Sequence, residues 1–384
     1  MALSKNTKLF SLASFLVDVS SEMIIPILPY ILTVVFGAPV FAIGILEAVK
    51  ETISKGTGII SGVYGDKVGQ RKKIVILGYG ISAIMKCLLV FAATWQNIIG
   101  IIIFERVGKG VRDAPRDALI VLSEKKENLG KAFGFRKMLD NFGAIIGPLL
   151  ATMLILAFGN LPIEQVYKNI FLLSVIPAVI AVAILFFVDE IKTKEQTNKK
   201  IMALLHEDKN YTRFVTAQAI FALGSFGISL FLLRAGDFLA FAVIPLVYLA
   251  YNVFNTIFSV PAGIISDKFG PKRIIVLCYL FYLVVLFGLL LYANSSSMII
   301  LFAFLGLFMA INEVAPNVMI GRIVDKEVYG SAIGLSKGVS GWIALPANLI
   351  AGALWTIYGP NAAFLFGIVT TSIAVVAMMV FVRE

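Results

Sequence analysis

Apolar stretches about as long as a bilayer is thick recur along almost the whole chain, and they constrain its fold more than any other feature. A helix needs about 20 mainly apolar residues to cross the hydrocarbon core of a membrane. Of the 384 residues, 59% are hydrophobic and only 15% are charged, against about 25% charged in a soluble domain. Because helices satisfy their backbone hydrogen bonds internally in lipid, the sequence predicts an all-α membrane protein.

The apolar stretches divide into twelve predicted spans. They cover residues 9–36, 39–64, 74–94, 97–121, 131–157, 168–188, 212–234, 238–265, 274–293, 297–321, 331–357 and 361–382. The connections are short except for the polar stretch 189–211 near the midpoint. We therefore predict a first six-helix bundle over 1–188, a linker over 189–211 and a second six-helix bundle over 212–384.

Lysine and arginine lie mainly on one side of this predicted membrane arrangement. They crowd the termini and every second loop, whereas the alternate loops carry only Lys168 and Arg234. Basic loops face the cytoplasm, so both termini and the linker are predicted to be cytoplasmic, in a plasma or inner membrane. The same loops account for the net charge of +10, and no nucleic-acid partner is expected.

The two predicted bundles share an internal repeat. The segment "GVYGDKVGQRKK" (62–73) recurs as "GIISDKFGPKR" (263–273), and "LGKAFGFRK" (129–137) recurs as "YGSAIGLSK" (329–337). The two pairs have nearly the same offset, which is the signature of a duplicated unit. We interpret the chain as a six-helix unit that occurs twice.

Four motifs within these spans and loops are typical of one known family. The loop pattern G-x-x-x-D-(R/K)-x-G occurs twice, the fourth span contains R-x-x-x-G (Arg106 and Gly110), and the first span contains P-x-x-P (26–29). The fifth span contains G-x8-G-x3-G-P. The loop-motif residues are Gly62, Asp66, Gly69, Arg71, Gly263, Asp267 and Gly270, and the fifth-span residues are Gly134, Gly143, Gly147 and Pro148. With these motifs the chain resembles the major facilitator superfamily of secondary transporters over essentially its whole length.

That resemblance implies a fold and a way of working. The fold would be two pseudo-symmetric six-helix bundles that expose a small-molecule site alternately to each side of the membrane, in a monomer without a cofactor. The loop motif would gate this movement, with Asp66 near the positive N-terminal end of the eleventh helix. The fifth-span motif resembles that of proton-coupled antiporters, which export, and its glycine face would pack against the other half.

Ionisable residues inside the predicted spans are the candidate site. A charge at the centre of a span costs roughly 2.5–3.5 kcal/mol on insertion scales, so it marks a pathway, a relay or a partner. The first half supplies Asp18, Glu22, Glu47, Glu51, Arg106, Arg112, Asp113, Arg116, Arg136 and Asp140. The second half is expected to supply a mostly apolar wall that carries Tyr248, Asn252, Asn312 and Glu313.

Two roles for these charges remain open on sequence alone. In the first, they only neutralise one another, and the expected pairs are Arg106 with Asp18, Arg112 or Arg116 with Asp140, and Arg136 with Asp113 or Asp117. Buried pairs of this kind say little about function. In the second, some carboxylates lack a permanent partner and carry protons.

The spacing of the acids favours the second role for some of them. Asp18 and Glu22 lie one helical turn apart, as do Glu47 and Glu51. Like charges at that distance, together with burial, favour the protonated form of a carboxyl group. We therefore predict that Asp18, Glu22 and Glu47 exchange protons, with Asp140 as the next candidate.

The function predicted from these observations is proton-coupled export of a small molecule by antiport. The charge of the substrate stays open, because the acids favour a cation and the basic cluster Lys109, Arg112, Arg116 and Arg136 favours an anion. The alternatives are a symporter of an organic or phosphate-type anion, and an exporter of a divalent metal on the four acids. An HExxH motif and a Walker loop do not occur, so we predict no enzyme; a membrane sensor on the same fold is the non-transport alternative.

Overall fold

The computed structural model describes residues 3–125, 128–191, 209–324 and 329–383, and the side chains of residues 51, 63, 66 and 329–331 lie outside this description. The regular elements in these ranges are all helices, which confirms the predicted all-α fold. They are α1 (Lys5–Glu22), α2 (Leu28–Tyr30), α3 (Val40–Val68), α4 (Arg71–Leu89), α5 (Trp95–Ser123), α6 (Leu129–Ala157), α7 (Ile163–Leu185), α8 (Lys209–Gly224), α9 (Ile228–Gly236), α10 (Ile244–Phe269), α11 (Pro271–Leu291), α12 (Ser295–Ile323), α13 (Tyr329–Tyr358) and α14 (Pro360–Phe381). A π-helical turn, Ile31–Val35, follows α2, and a 3₁₀ turn, Phe241–Val243, precedes α10.

Eight segments of the described chain are long and apolar enough to cross a membrane. They are Leu129–Ala157, Ile163–Leu185, Lys209–Gly236, Phe241–Phe269, Pro271–Leu291, Ser295–Ile323, Ala332–Tyr358 and Pro360–Phe381. The first four predicted spans are not among these eight. The first corresponds to α1 together with α2, and the next three correspond to α3, α4 and α5; these helices carry more ionisable residues. The charged residues of the predicted spans are therefore concentrated in the first half of the chain.

Two predicted spans are interrupted helices. We predicted single spans over 9–36 and 212–234, but α1 ends at Glu22 and α8 ends at Gly224, and each is followed by irregular backbone before a short helix begins. In the first case Pro26 lies in the interruption and Pro29 lies at the start of α2, and a proline has no N–H to continue the helix. Because the two breaks occupy equivalent places in the repeat, and interrupted helices often mark the substrate site of a transporter, they direct attention to the neighbouring side chains.

The described chain forms two compact units. The first unit contains the described residues of Met1–Ala38, Val49–Thr197 and Phe241–Leu246, and the second contains those of Pro39–Ala48, Asn198–Ala240 and Val247–Glu384. The start of α3 thus belongs to the second unit, and the start of α10 belongs to the first. The predicted linker, 189–211, lies mostly in 192–208, outside the described residues, so the predicted domain boundaries stay a prediction.

Each unit has its own apolar core. In the first unit, one apolar cluster joins α1, α4 and α7, and it contains the almost fully buried side chains Phe10, Val17, Tyr79 and Leu185. In the second unit the ring of Phe221 stacks on Tyr279 with centroids 4.0 Å apart. These cores hold α1 and α8, the two interrupted helices, in fixed positions within their units.

Hydrogen bonds tie the start of α1 to the end of α5 outside the apolar region. The Ser4 N–H and the Thr7 hydroxyl each donate to Glu124 Oε1 at 2.8 Å. Partial burial of Glu124 opposes ionisation, but these hydrogen bonds outweigh it and hold the pKa of the carboxyl group below its ordinary value. Glu124 therefore stabilises this junction in its ionised form.

Candidate substrate and proton-coupling site

The acids Asp18 and Glu22 lie on the last turns of α1, just before the helix is interrupted. Asp18 is half-buried. Within the described part of the chain, its carboxylate has neither a hydrogen bond nor a cation within 4.0 Å, although Asp140, Lys109, Glu22 and Arg112 lie within electrostatic range. Asp18 is therefore a carboxylate inside a predicted membrane span, and in the described part of the chain no direct contact compensates its charge.

Glycines of α6 allow that helix to approach α1 at both acids. A Cβ atom added at Gly143 would lie 2.9 Å from the Asp18 Cβ, and one added at Gly147 would lie 2.5 Å from the Glu22 Cβ. Such distances are too short for real side chains. The fifth-span motif thus serves contact with α1 of the same unit at these two glycines, and our expectation that they pack against the other half is wrong.

The other two residues of that motif have different surroundings. A Cβ atom at Gly134 would meet nothing within 4 Å, so no close approach explains this glycine. Pro148 is buried inside α6, one residue after Gly147.

Arg106 pairs with its neighbour in sequence. Its Nε lies 3.2 Å from Glu105 Oε2, and both side chains are largely buried. Within the described residues Asp18 has no ion pair, so the pairing of Arg106 with Asp18 that we considered is wrong. Glu105 was not among the predicted site residues, and adjacent residues of a helix do not normally face each other, so the spacing gave no signal for this pair.

A chain of ion pairs runs along the second half of α5. Arg116 lies 3.1 Å from Asp113 through Nη1 and 3.0 Å from Asp117 through Nε. Arg112 Nε lies 3.8 Å from Asp113 Oδ1, and its guanidinium stacks on the Tyr79 ring at 4.5 Å. The two arginines are buried while the aspartates are about one-third exposed, so each cation has an anionic neighbour.

The same chain of ion pairs continues onto α6. Arg136 Nη2 lies 3.8 Å from Asp117 Oδ2, and Arg136 Nη1 lies 3.3 Å from Asp140 Oδ2. Asp140 therefore pairs with Arg136. The pairing of Asp140 with Arg112 or Arg116 that we considered is wrong. We call the series Arg112, Asp113, Arg116, Asp117, Arg136 and Asp140 the charge ladder; in it the numbers of cations and anions are equal.

Two further lysines of the first unit lie near these charged residues. Lys86 is buried in α4, where its Nζ donates to Ser20 Oγ at 2.7 Å and to Ser21 Oγ at 2.9 Å. Lys109 is half-buried in α5 and, within the described residues, has no hydrogen bond or ion pair, although it interacts electrostatically with Asp18. The position of the Lys86 amine could not be predicted from the sequence, because helical periodicity and hydropathy do not show where the end of a long side chain lies.

Glu47 belongs to the second unit, although it lies in the first half of the sequence. It is buried, and Ser229, the second residue of α9, donates a hydrogen bond to it. The neighbouring Gly227 N–H donates to Asn348 Oδ1 at 2.8 Å. A carboxyl group thus lies at the interruption between α8 and α9, as Asp18 and Glu22 lie at the interruption after α1.

The four acids proposed as metal ligands do not form a described cluster. The side chain of Glu51 lies outside the described residues. Among those that the structure does describe, no group of three or more His, Cys, Asp or Glu side chains is placed to hold a metal ion. Among the described side chains, the divalent-metal alternative therefore has no geometric support.

The predicted wall of the second unit is partly buried. Tyr248 is buried and stacks on Tyr251 with centroids 5.6 Å apart, and Asn252 is buried one turn further along α10. Asn312 and Glu313 are half-buried on α12. These side chains supply aromatic and amide groups and few charges.

The doubled loop motif forms two similar turns. Gly69 (φ +67°) and Gly270 (φ +92°) end α3 and α10 in the left-handed region that favours glycine. Gly62 and Gly263 lie inside those helices, where an added Cβ would contact Ala114 at 3.4 Å and Val314 at 3.5 Å.

The charged residues of the motif are less alike. Arg71 is buried at the start of α4, whereas Asp267 is exposed and its carbonyl accepts a hydrogen bond from Arg322 at 2.9 Å. The side chain of Asp66 lies outside the described residues. Its predicted contact with the eleventh predicted span (331–357, within α13) therefore stays a prediction.

These features define a multi-span membrane transporter made of two duplicated helical units, and the comparisons identify its family. The sequence matches the model of the Major Facilitator Superfamily over residues 10–247 and 214–384. It is 36% identical over 382 residues to the uncharacterized MFS-type transporter MJ1317 of Methanocaldococcus jannaschii, over 97% of this chain and 94% of that relative. The chain belongs to the Major Facilitator Superfamily, which confirms the family predicted from the motifs.

Solved structures share the fold over the whole chain. The nucleoside transporter NupG, in a mutant form, superposes with a TM-score of 0.84 at 11% identity, over 99% of this chain and 100% of that one. A mutant of the peptide transporter POT superposes with a TM-score of 0.78 at 12% identity, over 98% and 93%. At these identities the likeness shows the fold alone, and nucleosides and peptides are named for those two proteins only.

Proposed function

We propose that this transporter couples the movement of its substrate to protons, and that Asp18 carries the proton. The single observation behind the proposal is that Asp18, inside a membrane helix, has no hydrogen bond or cation within 4.0 Å in the described part of the chain. Every carboxylate of the charge ladder, by contrast, has an arginine within that distance. A carboxylate without such compensation is costly when charged and binds a proton readily.

The position of Asp18 suits alternating access. It lies next to the interruption of α1, and interrupted helices form the substrate sites of many transporters because they expose polar backbone groups. Glu22 lies one turn further along the same face, so an ionised Asp18 would have a second carboxyl group close to it. A cationic substrate that binds there would compensate the negative charge of Asp18, and it would compete with the proton for the same carboxylate.

Competition of this kind produces antiport, and we propose that the direction is export. The fifth-span glycines that resemble those of proton-coupled antiporters are the residues that allow α6 to approach Asp18 and Glu22. In this proposal the charge ladder holds α5 and α6 together through its ion pairs. The transporter would work as a monomer in the cell's inner membrane, with both termini in the cytoplasm.

A proton-coupled symporter of an anion is the second candidate. It is favoured by Lys109, a half-buried cation that has no ion pair in the described residues. With Asp18 protonated, Lys109 would attract a carboxylate or phosphate, and the proton and the anion would then travel in the same direction.

The experiment that separates the two candidates measures proton movement in proteoliposomes that contain a trapped pH-sensitive dye. A lipophilic cation, an organic phosphate and a divalent metal are added in turn to purified transporter under an imposed pH gradient. Antiport of a cation moves protons against the direction of the substrate, whereas symport of an anion moves them with it. The exposed pair of Glu164 and Lys168 (2.6 Å) supplies a control variant, Glu164→Gln.

The outcomes are distinct. Proton movement triggered by the cation, retained in Glu164→Gln and lost in Asp18→Asn, would support the proposal. Movement triggered only by the phosphate, in the same direction as the substrate, would replace antiport by symport. Transport of a labelled substrate without any proton movement would refute the coupling.

A further inference from the structure

Lys86 is a buried cation to which the proposed coupling at Asp18 assigns no role. It is 2% exposed in the interior of the first unit. A lysine inside a membrane helix is costly unless its charge is compensated, and it therefore deserves a functional explanation by default.

The hydrogen bonds of Lys86 fit the charged form of its amine. The ammonium group has three donors, and Lys86 Nζ has three acceptors on α1, namely Ser20 Oγ at 2.7 Å, Ser21 Oγ at 2.9 Å and the Val17 carbonyl at 3.4 Å. Ser20 uses its own hydrogen to donate to the Ser174 carbonyl, so towards Lys86 it can only accept. Lys86 is thus a donor to neutral groups, and no carboxylate in the described ranges lies within 4.0 Å of it.

The ionisable neighbours of Lys86 come from two of the helices around it. Asp18 faces it from α1, and Glu105, Arg106 and Arg112 face it from α5. From α7 it is the Ser174 carbonyl that joins this network, through Ser20. Since Glu105 already pairs with Arg106 at 3.2 Å, Asp18 is the neighbouring carboxylate without a contact partner.

We propose that Lys86 is a positioning residue that sets the pH range over which Asp18 exchanges its proton, an inference that rests on the proposed function. Its amine is held by Ser20 and Ser21 on the last turn of α1, so in the charged form it adds a positive charge beside Asp18, which Lys109 and Arg112 of α5, Asp140 of α6 and Glu22 of α1 also face. That charge favours ionised Asp18. Without it, Asp18 would keep its proton to higher pH, and the transport profile would move to alkaline values.

The test compares, for variants of Lys86 in proteoliposomes with a trapped pH-sensitive dye, the pH profiles of proton movement triggered by a lipophilic cation. Lys86→Gln keeps hydrogen-bond donors near Ser20 and Ser21 and removes the charge, whereas Lys86→Arg keeps the charge. We expect the midpoint for Lys86→Gln to rise by about one pH unit, the order of magnitude of the shift when one neighbouring opposite charge is lost. Lys86→Arg and the exposed control Lys168→Gln should keep the midpoint of the unmodified protein.

The failure of this inference differs from failure of the proposed function. A pH-independent unmodified transporter would refute proton coupling and the role of Lys86 with it. A pH-dependent transporter whose midpoint is unchanged in Lys86→Gln would overturn only the role of Lys86. Should Lys86→Gln not fold, Ser21→Ala removes one acceptor of the ammonium; a smaller alkaline shift is then expected, and an unchanged profile again overturns the inference.

Discussion

Replacement of Gly147 by alanine tests whether the glycines of α6 hold that helix against the acids of α1. The added Cβ would lie 2.5 Å from the Glu22 Cβ and 2.9 Å from the Val19 carbonyl oxygen, whereas ordinary contacts begin at 3.4 Å. The clash involves backbone and Cβ atoms, which no side-chain rotation can relieve. The two helices must therefore separate by close to 1 Å.

The magnitude follows from two opposing terms. Overpacking of this kind costs about 1–3 kcal/mol, while alanine is favoured over glycine inside a helix by up to about 1 kcal/mol. Gly147→Ala should thus destabilise the transporter by about 1–2 kcal/mol. Gly134→Ala is the matched control on the same helix, because nothing lies within 4 Å of its added Cβ, and it should be neutral or stabilising.

Thermal unfolding of the purified variants in one detergent measures this difference, and the transport assay shows whether the displaced helix disturbs the acids. We expect a lower unfolding temperature and reduced proton-coupled transport for Gly147→Ala, with neither effect for Gly134→Ala. Equal stability of the two variants would refute the packing argument.

Three further predictions concern single residues. Arg116→Leu removes the nearest cation of Asp113 and Asp117 and should cost about 3 kcal/mol in thermal unfolding, whereas a loss below 1 kcal/mol would mean that the ladder is dispensable. Gly69→Ala places a side chain at φ +67° and should cost about 1–2 kcal/mol by the same assay. An unchanged unfolding temperature would contradict the need for glycine in this turn. Because the pKa of Glu124 is lowered in the folded protein, its stabilisation is present above the ordinary carboxyl pKa of about 4.3 and is lost as the pH falls through the lower folded value. Glu124→Gln should therefore be less stable near neutral pH and should not show this acid-dependent loss; equal pH dependence of stability would contradict the assignment.

The sequence was a good guide to the fold because lipid leaves few choices. Long apolar stretches must be helical in a bilayer, and the doubled loop motif around Gly69 and Gly270 identified the repeat and the family. The interruptions after Glu22 and Gly224 were not predicted, because hydropathy averages over a window and does not register a break of a few residues. Pro26 and Pro29 were visible signals that our division into spans did not use.

The site was predictable in its membership but less so in its contacts. Helical spacing brought Asp18 and Glu22 together, yet it could not show that Arg106 turns to Glu105. Nor could it show that Lys86 ends on the hydroxyl groups of Ser20 and Ser21. Those choices depend on side-chain rotamers and on contacts between helices, which spacing along one helix does not determine.

The central claim, that Asp18 couples transport to protons, is tested most directly by the Asp18→Asn variant. Two quantities are measured in the same proteoliposomes, namely accumulation of labelled substrate driven by a pH gradient and exchange of that substrate at equal pH. We predict that Asp18→Asn loses gradient-driven accumulation, because its amide does not exchange protons, and keeps exchange, because the substrate pathway stays intact. Gradient-driven accumulation that persists in Asp18→Asn would contradict the account.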